Sequence, residues 1–283
     1  MTMFIQSVVL LVLALCVILP LHAHEFWLVP VTVPLVAGDS ARLTLRVGEY
    51  FDGDLVGFST SLTLDMRQYT TSGNIDLLTL LPRDTSASAL LVPLRAPGTH
   101  MVIFNSHPST ISLSADAFHA YLHDEGLDFI KAQREAAGIA GTLGRERYRR
   151  FVKTLIRVAP KPGAMSSQPI KPDTTYSTVT GQRLEILPIN NPTVMLAGDV
   201  LGVCVLFDGK PLKDALLKAW HRRGGQTLSI RSKTAADGSA AFDLPYAGPW
   251  MISVVHMVPV LDVKDIEWDS LWSNLSFNLV GKP

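Results

Sequence analysis

Eight histidines are the side chains in this sequence with the clearest chemistry to offer, and one stands at a sharp change of composition. In LHAHEFWLVP, residues 21 to 30, His24 follows an apolar run and precedes an acid and a tryptophan. Cleavage after Ala23 would make His24 the mature N-terminus. Its α-amino group, with an ordinary pKa of about 7.7 to 8.0, could then give up its proton to a metal near neutral pH. One residue would supply two nitrogen ligands, the amine and imidazole Nδ1, in a closed chelate ring. A third nitrogen from another histidine would complete a T-shaped site, the histidine brace. Nitrogen-only tetragonal sites suit Cu(II) best and Ni(II) next.

The cut is implied by the residues before it. Phe4 to Leu19 is almost wholly apolar. It falls short of the roughly 20 residues of a membrane span, and it ends near a small residue, as a secretory signal peptide does. The leader carries no Lys or Arg and Leu21 sits at −3, so the form is imperfect, and an uncleaved anchor is the alternative reading. Leu15 is too large to precede a lipidated Cys16. A cut after Leu21 would leave His22-Ala23-His24, another terminus of Cu/Ni-binding type, but Leu21 disfavours it.

The candidates to complete the site are few. His256 lies in the apolar strand ISVVHMVPV beside Met257, a soft ligand for Cu(I). A lone histidine there is otherwise a core residue with one hydrogen bond. His119 and His123, in FHAYLH, share a helix face at i, i+4 and could bind one metal together, although that spacing arises often on helix surfaces. His107 falls on a loop in NSHPST, and His221 follows Trp220 in KAWHRR, where it reads as solvated. On these residues alone the partner of His24 stays open between His256 and the pair His119 and His123.

Other chemistry is not written in the chain. There is no G-x-S-x-G, P-loop, G-x-G-x-x-G or H-E-x-x-H, which favours binding over catalysis. Twenty-five basic residues balance twenty-five acidic ones, so no net field draws in nucleic acid or anionic lipid. Of two cysteines, Cys16 lies in the leader. Cys204, in VLGVCVLF, reads as a small buried hydrophobe, and a cysteine-only metal site is excluded.

The elements that must hold these residues read as mainly β. After the leader, 1–23, residues 24–115 show alternating strands such as ARLTLRVGEY, and SALLVPLRAPGTHMVIFN reads as two strands joined at a Pro-Gly turn. The pattern changes over 116–158. DAFHAYLHDEGLDFIKAQREAAG has helical spacing. GRERYRRFVKTLIRV places Tyr148, Phe151, Val152, Leu155 and Ile156 on one helical face, with Arg145, Arg147, Arg149, Arg150, Lys153 and Arg157 on a solvated one. Residues 159–177 are rich in Pro, Ser and Lys and read as a linker. Residues 178–283 return to strands, with Asp208-Gly209 and Asp237-Gly238 as hairpin turns. The expected fold is two β-sandwich domains, Ig-like or prealbumin-like, with a helical insert.

The blocks HEFWLVP, LRVGEYFDGD, AYLHDEGLDFIKAQRE, GRERYRRFVKTLIRV, LEILPINNP, LFDGKPLKDA, GPWMISVVHM and DIEWDSLWSNLSFNL together resemble a bacterial family of unknown-function periplasmic proteins, commonly labelled the periplasmic component of cobalt or nickel transport. The resemblance covers residues 24 to 279. It implies export to the periplasm, sandwich domains, and a role near transition-metal uptake; the partners expected are a metal ion and a metal transporter or outer-membrane receptor. It carries His24, Glu25, Trp27, Leu28 and His256, so that His24 and His256 are the metal ligands it implies, and it lends nothing to His119 or His123. The expected function is a periplasmic protein that binds Ni, Co or Cu through His24. A secreted copper oxidase or monooxygenase and a non-catalytic Ig-like interaction module are the alternatives.

Overall fold

A computed structural model describes residues 24–163, 172–261 and 263–281. The expected leader, with Cys16 and His22, and the centre of the expected linker lie outside the described residues. The N-terminal half contributes β1 (Glu25–Leu28), β2 (Leu35–Val36), β3 (Ser40–Leu43), β4 (Leu45–Glu49), β5 (Asp52–Val56), β6 (Thr63–Thr70), β7 (Gly73–Asp76), β8 (Leu90–Pro93), β9 (Gly98–Ser106) and β10 (Ser109–Leu113). Helices α1 (Ala115–Asp124) and α2 (Asp128–Ala136) follow, then the long strand β11 (Gly144–Ala159). The C-terminal half adds β12 (Leu184–Pro188), β13 (Val200–Phe207), β14 (Lys210–Pro211), β15 (Leu216–Arg223), β16 (Gln226–Lys233), β17 (Ser239–Asp243), β18 (Gly248–Pro259) and β19 (Trp268–Leu279). The protein is mainly β, as its alternation predicts.

One large sheet organises the molecule. Its order is β16-β15-β18-β19-β11-β9-β6-β7, with β10 and β2 also paired to β11. The two halves of the chain meet inside it, where β11 and β19 run parallel from Glu146 opposite Trp268 to Thr154 opposite Ser276. A second sheet, β12-β13-β14 with β17, covers one face; its apolar residues join Leu155, Ile252, Val254, Leu271 and Leu275 in one core. On the opposite face lie β1-β4-β5, β3-β8 and the two helices. There Val152, Ile156 and Val158 meet Phe26, Leu28 and Leu43, while Val255, Met257 and Trp272 meet Phe118 and Tyr121.

This two-sided burial corrects the helix expected over 145–157. Phe151 and Leu155 enter one core and Val152, Ile156 and Val158 the other, so apolar residues need not alternate with polar ones. The resulting spacing imitates one face of a helix. The β-branched set Val152, Thr154, Ile156 and Val158, all on one strand face, carried the opposite signal. The basic residues are not a solvated face either. Arg147 binds Asp269 Oδ1 at 2.6 Å, and Lys153 is fully buried with Nζ 2.6 Å from Glu185 Oε1.

The earlier part of the insert is helical. Ser114 caps α1, its hydroxyl accepting from the Ala117 N–H at 3.3 Å, and Phe118, Tyr121 and Leu122 form the buried stripe. The turn at Asp208-Gly209 joins the paired strands β13 and β14, both residues with positive φ. Asp237-Gly238 turns the chain without making a hairpin, because β16 pairs with β15 and β17 with β13. The hairpin β15–β16 turns instead at Gly224-Gly225, both left-handed.

Candidate functional site

His24 sits just before β1, beside the end of β4, because Glu25 pairs with Gly48. Its side chain is 40% exposed, and Nε2 lies 4.0 Å from Glu49 Oε1. It opens on a shallow cleft shared with Glu49, Tyr50, Asp52, Asp54 and Arg222. Arg222 closes the far side on Asp52 at 2.7 Å. Nδ1 of His24 has no hydrogen-bond partner among the described residues.

His256 is elsewhere. Along β18 the odd-numbered residues Met251, Ser253, Val255 and Met257 face the helices and β1. The even-numbered Ile252 and Val254 face the second sheet, and His256 points with them, its ring 4.6 Å from that of Phe207. Burial pulls its pKa below the ordinary imidazole value, Arg183 adds to this, and Asp208 opposes it. Glu25, the neighbour of His24, bonds to Ser253 on the opposite face of the strand. The large sheet therefore separates His24 from His256, and the structure does not bring the two expected ligands together. Met257 cannot join His256 for the same reason: adjacent strand residues point to opposite faces.

His119 and His123 do not form a metal pair with a third ligand: His119 Nε2 is buried without a hydrogen-bond partner among the described residues. His123 Nδ1 meets Asp128 at 3.0 Å on the surface, and among the described residues no group of three or more His, Cys, Asp or Glu could hold a metal ion. His107 is exposed on its loop. His100 is buried, with Nδ1 2.8 Å from Gln68 Nε2 and Nε2 2.7 Å from the Ala96 carbonyl, so Nε2 is the donor to Ala96. His221 is buried, not solvated as expected; it stacks 4.8 Å from Trp250, and Nδ1 donates to the Pro249 carbonyl at 2.9 Å. Cys204 is half-buried, less enclosed than expected.

What the residue spacing did not reveal is a buried polar cluster beneath His24. β1 is pinned onto the sheet by side chains of β19: Asn274 Nδ2 donates to the Phe26 carbonyl and Ser276 Oγ to the Leu28 carbonyl, each at 2.7 Å. This carries Glu25 inside, where burial and then Glu125 push its carboxyl up to about 7 against Ser253, Lys218 and Arg150. Glu125, at the end of α1, is also raised by burial, although Lys218 Nζ binds it at 2.7 Å. Glu146, on β11, is pushed up to about 7 by burial, opposed by Ser270, Tyr121 and Arg150. Trp220 Nε1 donates to Ser253 Oγ at 2.9 Å and closes one side. The only hint of this in the sequence was Glu25 between His24 and Trp27; the other members come from α1, β11, β15 and β18.

A family model described as a domain of unknown function, DUF4198, matches residues 21–258. No curated protein matches the chain. Among solved structures, dimeric latent PorU from Porphyromonas gingivalis is 10% identical, with a TM-score of 0.20, over 90% of this chain and 20% of that one. The fibronectin(III)-like modules of Clostridium thermocellum CbhA are 10% identical, with a TM-score of 0.19, over 91% of this chain and 95% of theirs. The D0-D1 domain of intimin is 10% identical, with a TM-score of 0.19, over 89% and 97%. Likeness at these scores carries no argument about function. The family match spans most of the chain, and the protein belongs to the DUF4198 family.

Proposed function

We propose that the mature protein is an exported, periplasmic metal-binding protein, accessory to the uptake or handling of Ni, Co or Cu, that takes the ion through the amine and Nδ1 of His24. The observation that supports this is the direction of the His24 ring. The half-exposed ring opens on a cleft shared with Glu49 and Asp52, with Nε2 4.0 Å from Glu49 Oε1, one small adjustment away from a hydrogen bond. Metal-bound histidines commonly offer their second ring N–H to a carboxylate, which fixes the tautomer and strengthens the ligand. Two protein nitrogens leave further coordination positions to water or to a partner. That suits transfer to a transporter or receptor better than catalysis, and it disfavours the copper monooxygenase reading, for which no second histidine stands beside His24 among the described residues.

The test is Cu(II) and Ni(II) titration by calorimetry, on protein whose mature N-terminus has been established by mass. One ion should bind per chain. An added N-terminal Gly turns the amine into an amide and should abolish tight binding, and Glu49→Gln should weaken it by about 10-fold or more. Affinity should fall with pH as protons compete for the ligands. His256→Ala should change nothing. Equal affinity with and without the added Gly would overturn the proposal and leave the Ig-like interaction module as the better reading.

A further inference from the structure

The cavity beneath His24 is lined by more acids than bases: Glu25, Glu49, Asp124 and Glu125 against Lys218 and Arg231. Glu25, Glu125 and Glu146 are each at most 9% exposed. Lys218 is paired with Glu125, Arg231 lies near Glu125 on the cavity wall, and Arg150 is stacked 4.8 Å over Phe26 and 4.7 Å over Tyr148. Oε1 of Glu25 and Oε1 of Glu146 are buried without a hydrogen-bond partner. A buried carboxylate oxygen left unpaired is costly, so such a group is neutralised by a proton or by a cation brought to it.

A cavity of about 100 Å³ reaches Glu25 from outside. Glu49, Glu125 and Asp124 add negative charge to its walls, Lys218 and Arg231 positive charge, and Tyr50, Tyr121 and Trp220 aromatic surface. At about 30 Å³ for one water, it has room for roughly three or four non-hydrogen atoms. Carboxylates beside aromatic faces suit an organic cation. A metal ion is a poorer fit, since no metal-holding group of acids and histidines exists among the described residues.

The rim is built with strain. Tyr50 and Phe51 form the two-residue turn between β4 and β5 with φ of 54° and 59°, a left-handed conformation that usually falls to Gly or Asn. Phe51 is anchored on Trp27 at 5.5 Å, and the Tyr50 carbonyl accepts from Thr227 Oγ1 at 2.8 Å. The result is an exposed Tyr50 ring held edge-on to Trp220 at 6.1 Å, at the cavity mouth. Strain retained at a pocket rim points to use.

We propose that this cavity binds the ammonium group of a small primary amine, with Glu25 as its counter-ion and Tyr50, Tyr121 and Trp220 as its walls. The site is distinct from His24 nitrogen ligation and does not rest on it. The ammonium donates to the buried, unpaired Oε1 of Glu25. Glu125, Lys218, Arg150 and Ser253 act on Glu25 directly, and Glu49, Asp124, Tyr121 and Arg231 share the cavity wall with it.

The experiment is calorimetric titration of metal-free protein with n-propylammonium chloride at millimolar concentration, with n-propanol as the neutral match. Saturable heat with propylammonium alone supports the site. Glu25→Gln should weaken binding about 10-fold or more. Tyr50→Asn, an exposed change to a residue that tolerates left-handed backbone, should weaken it several-fold with the unfolding midpoint little moved, and it decides the matter if Glu25→Gln fails to fold. Equal response to propanol, absence of saturable heat, or unchanged binding in Tyr50→Asn overturns the proposal. Adding the N-terminal Gly separates the two sites: metal binding should go and amine binding stay.

Discussion

Lys153→Met tests the architecture at its most exposed assumption. Lys153 is fully buried, and its Nζ lies 2.6 Å from Glu185 Oε1 and 3.4 Å from the Ile186 carbonyl. Removing it leaves the Glu185 carboxylate inside the protein without its cation. Breaking a buried pair in this way costs about 3–5 kcal/mol. Glu185 keeps three other donors, Thr180 N at 2.6 Å, Thr180 Oγ1 at 2.7 Å and Gly181 N at 3.3 Å, which argues for the lower end, about 3 kcal/mol. Urea unfolding followed by tryptophan fluorescence is the assay, because all five tryptophans are buried. With a slope of about 3 kcal/mol/M the midpoint should fall by roughly 1 M. Adding Glu185→Gln should recover much of the loss, since the unpaired charge is gone. Had β11 been a surface helix, Lys153→Met would cost no more than about 0.5 kcal/mol. A midpoint within roughly 0.2 M of the parent, or a double variant no better than the single, would refute the buried pair.

Two further expectations concern the cluster and its support. Glu25 and Glu146 have folded pKa values of about 7 against an ordinary 4.5, so the folded state holds their protons more tightly than the unfolded state. Stability present below pH 4.5 is then lost as pH rises towards 7, by on the order of 3 kcal/mol per group. Asp173, Asp208 and Asp269 are shifted the other way, and their contribution fails only as pH falls through 3.8 and below. The urea midpoint should therefore be higher near pH 5 than at pH 8, and Glu146→Gln should flatten that difference by about half; an unchanged slope would sink the assignment. Gly144→Ala should lower stability by about 1–3 kcal/mol, because its Cβ would lie 2.2 Å from the Phe118 ring under α1. Thermal unfolding would check this, and a neutral result would mean that Phe118 is not where the structure puts it.

The strands that could be read in advance are those with one dry face or a turn of known chemistry. ARLTLRVGEY alternates because β3 and β4 each bury one side, with Ala41, Leu43 and Leu45 inside. Asp208-Gly209 marks its hairpin because left-handed backbone is cheap there. The helix α1 shows in Phe118, Tyr121 and Leu122 because one stripe suffices to dock it.

What only the tertiary structure decided is which distant residues share a face. His24 and His256 lie on opposite sides of one sheet, and that follows from the parity of β18, where Ser253 meets Glu25 and His256 meets Phe207. Local pattern does not reveal that parity when both faces are apolar. The same cause turned β11 into an apparent helix: a strand enclosed by two cores has no wet side to write its period of two. The acid cluster was hidden for a related reason. Glu25, Glu125 and Glu146 are far apart along the chain and ordinary in composition. Only burial by β1, α1, β11 and β15 makes their charge expensive.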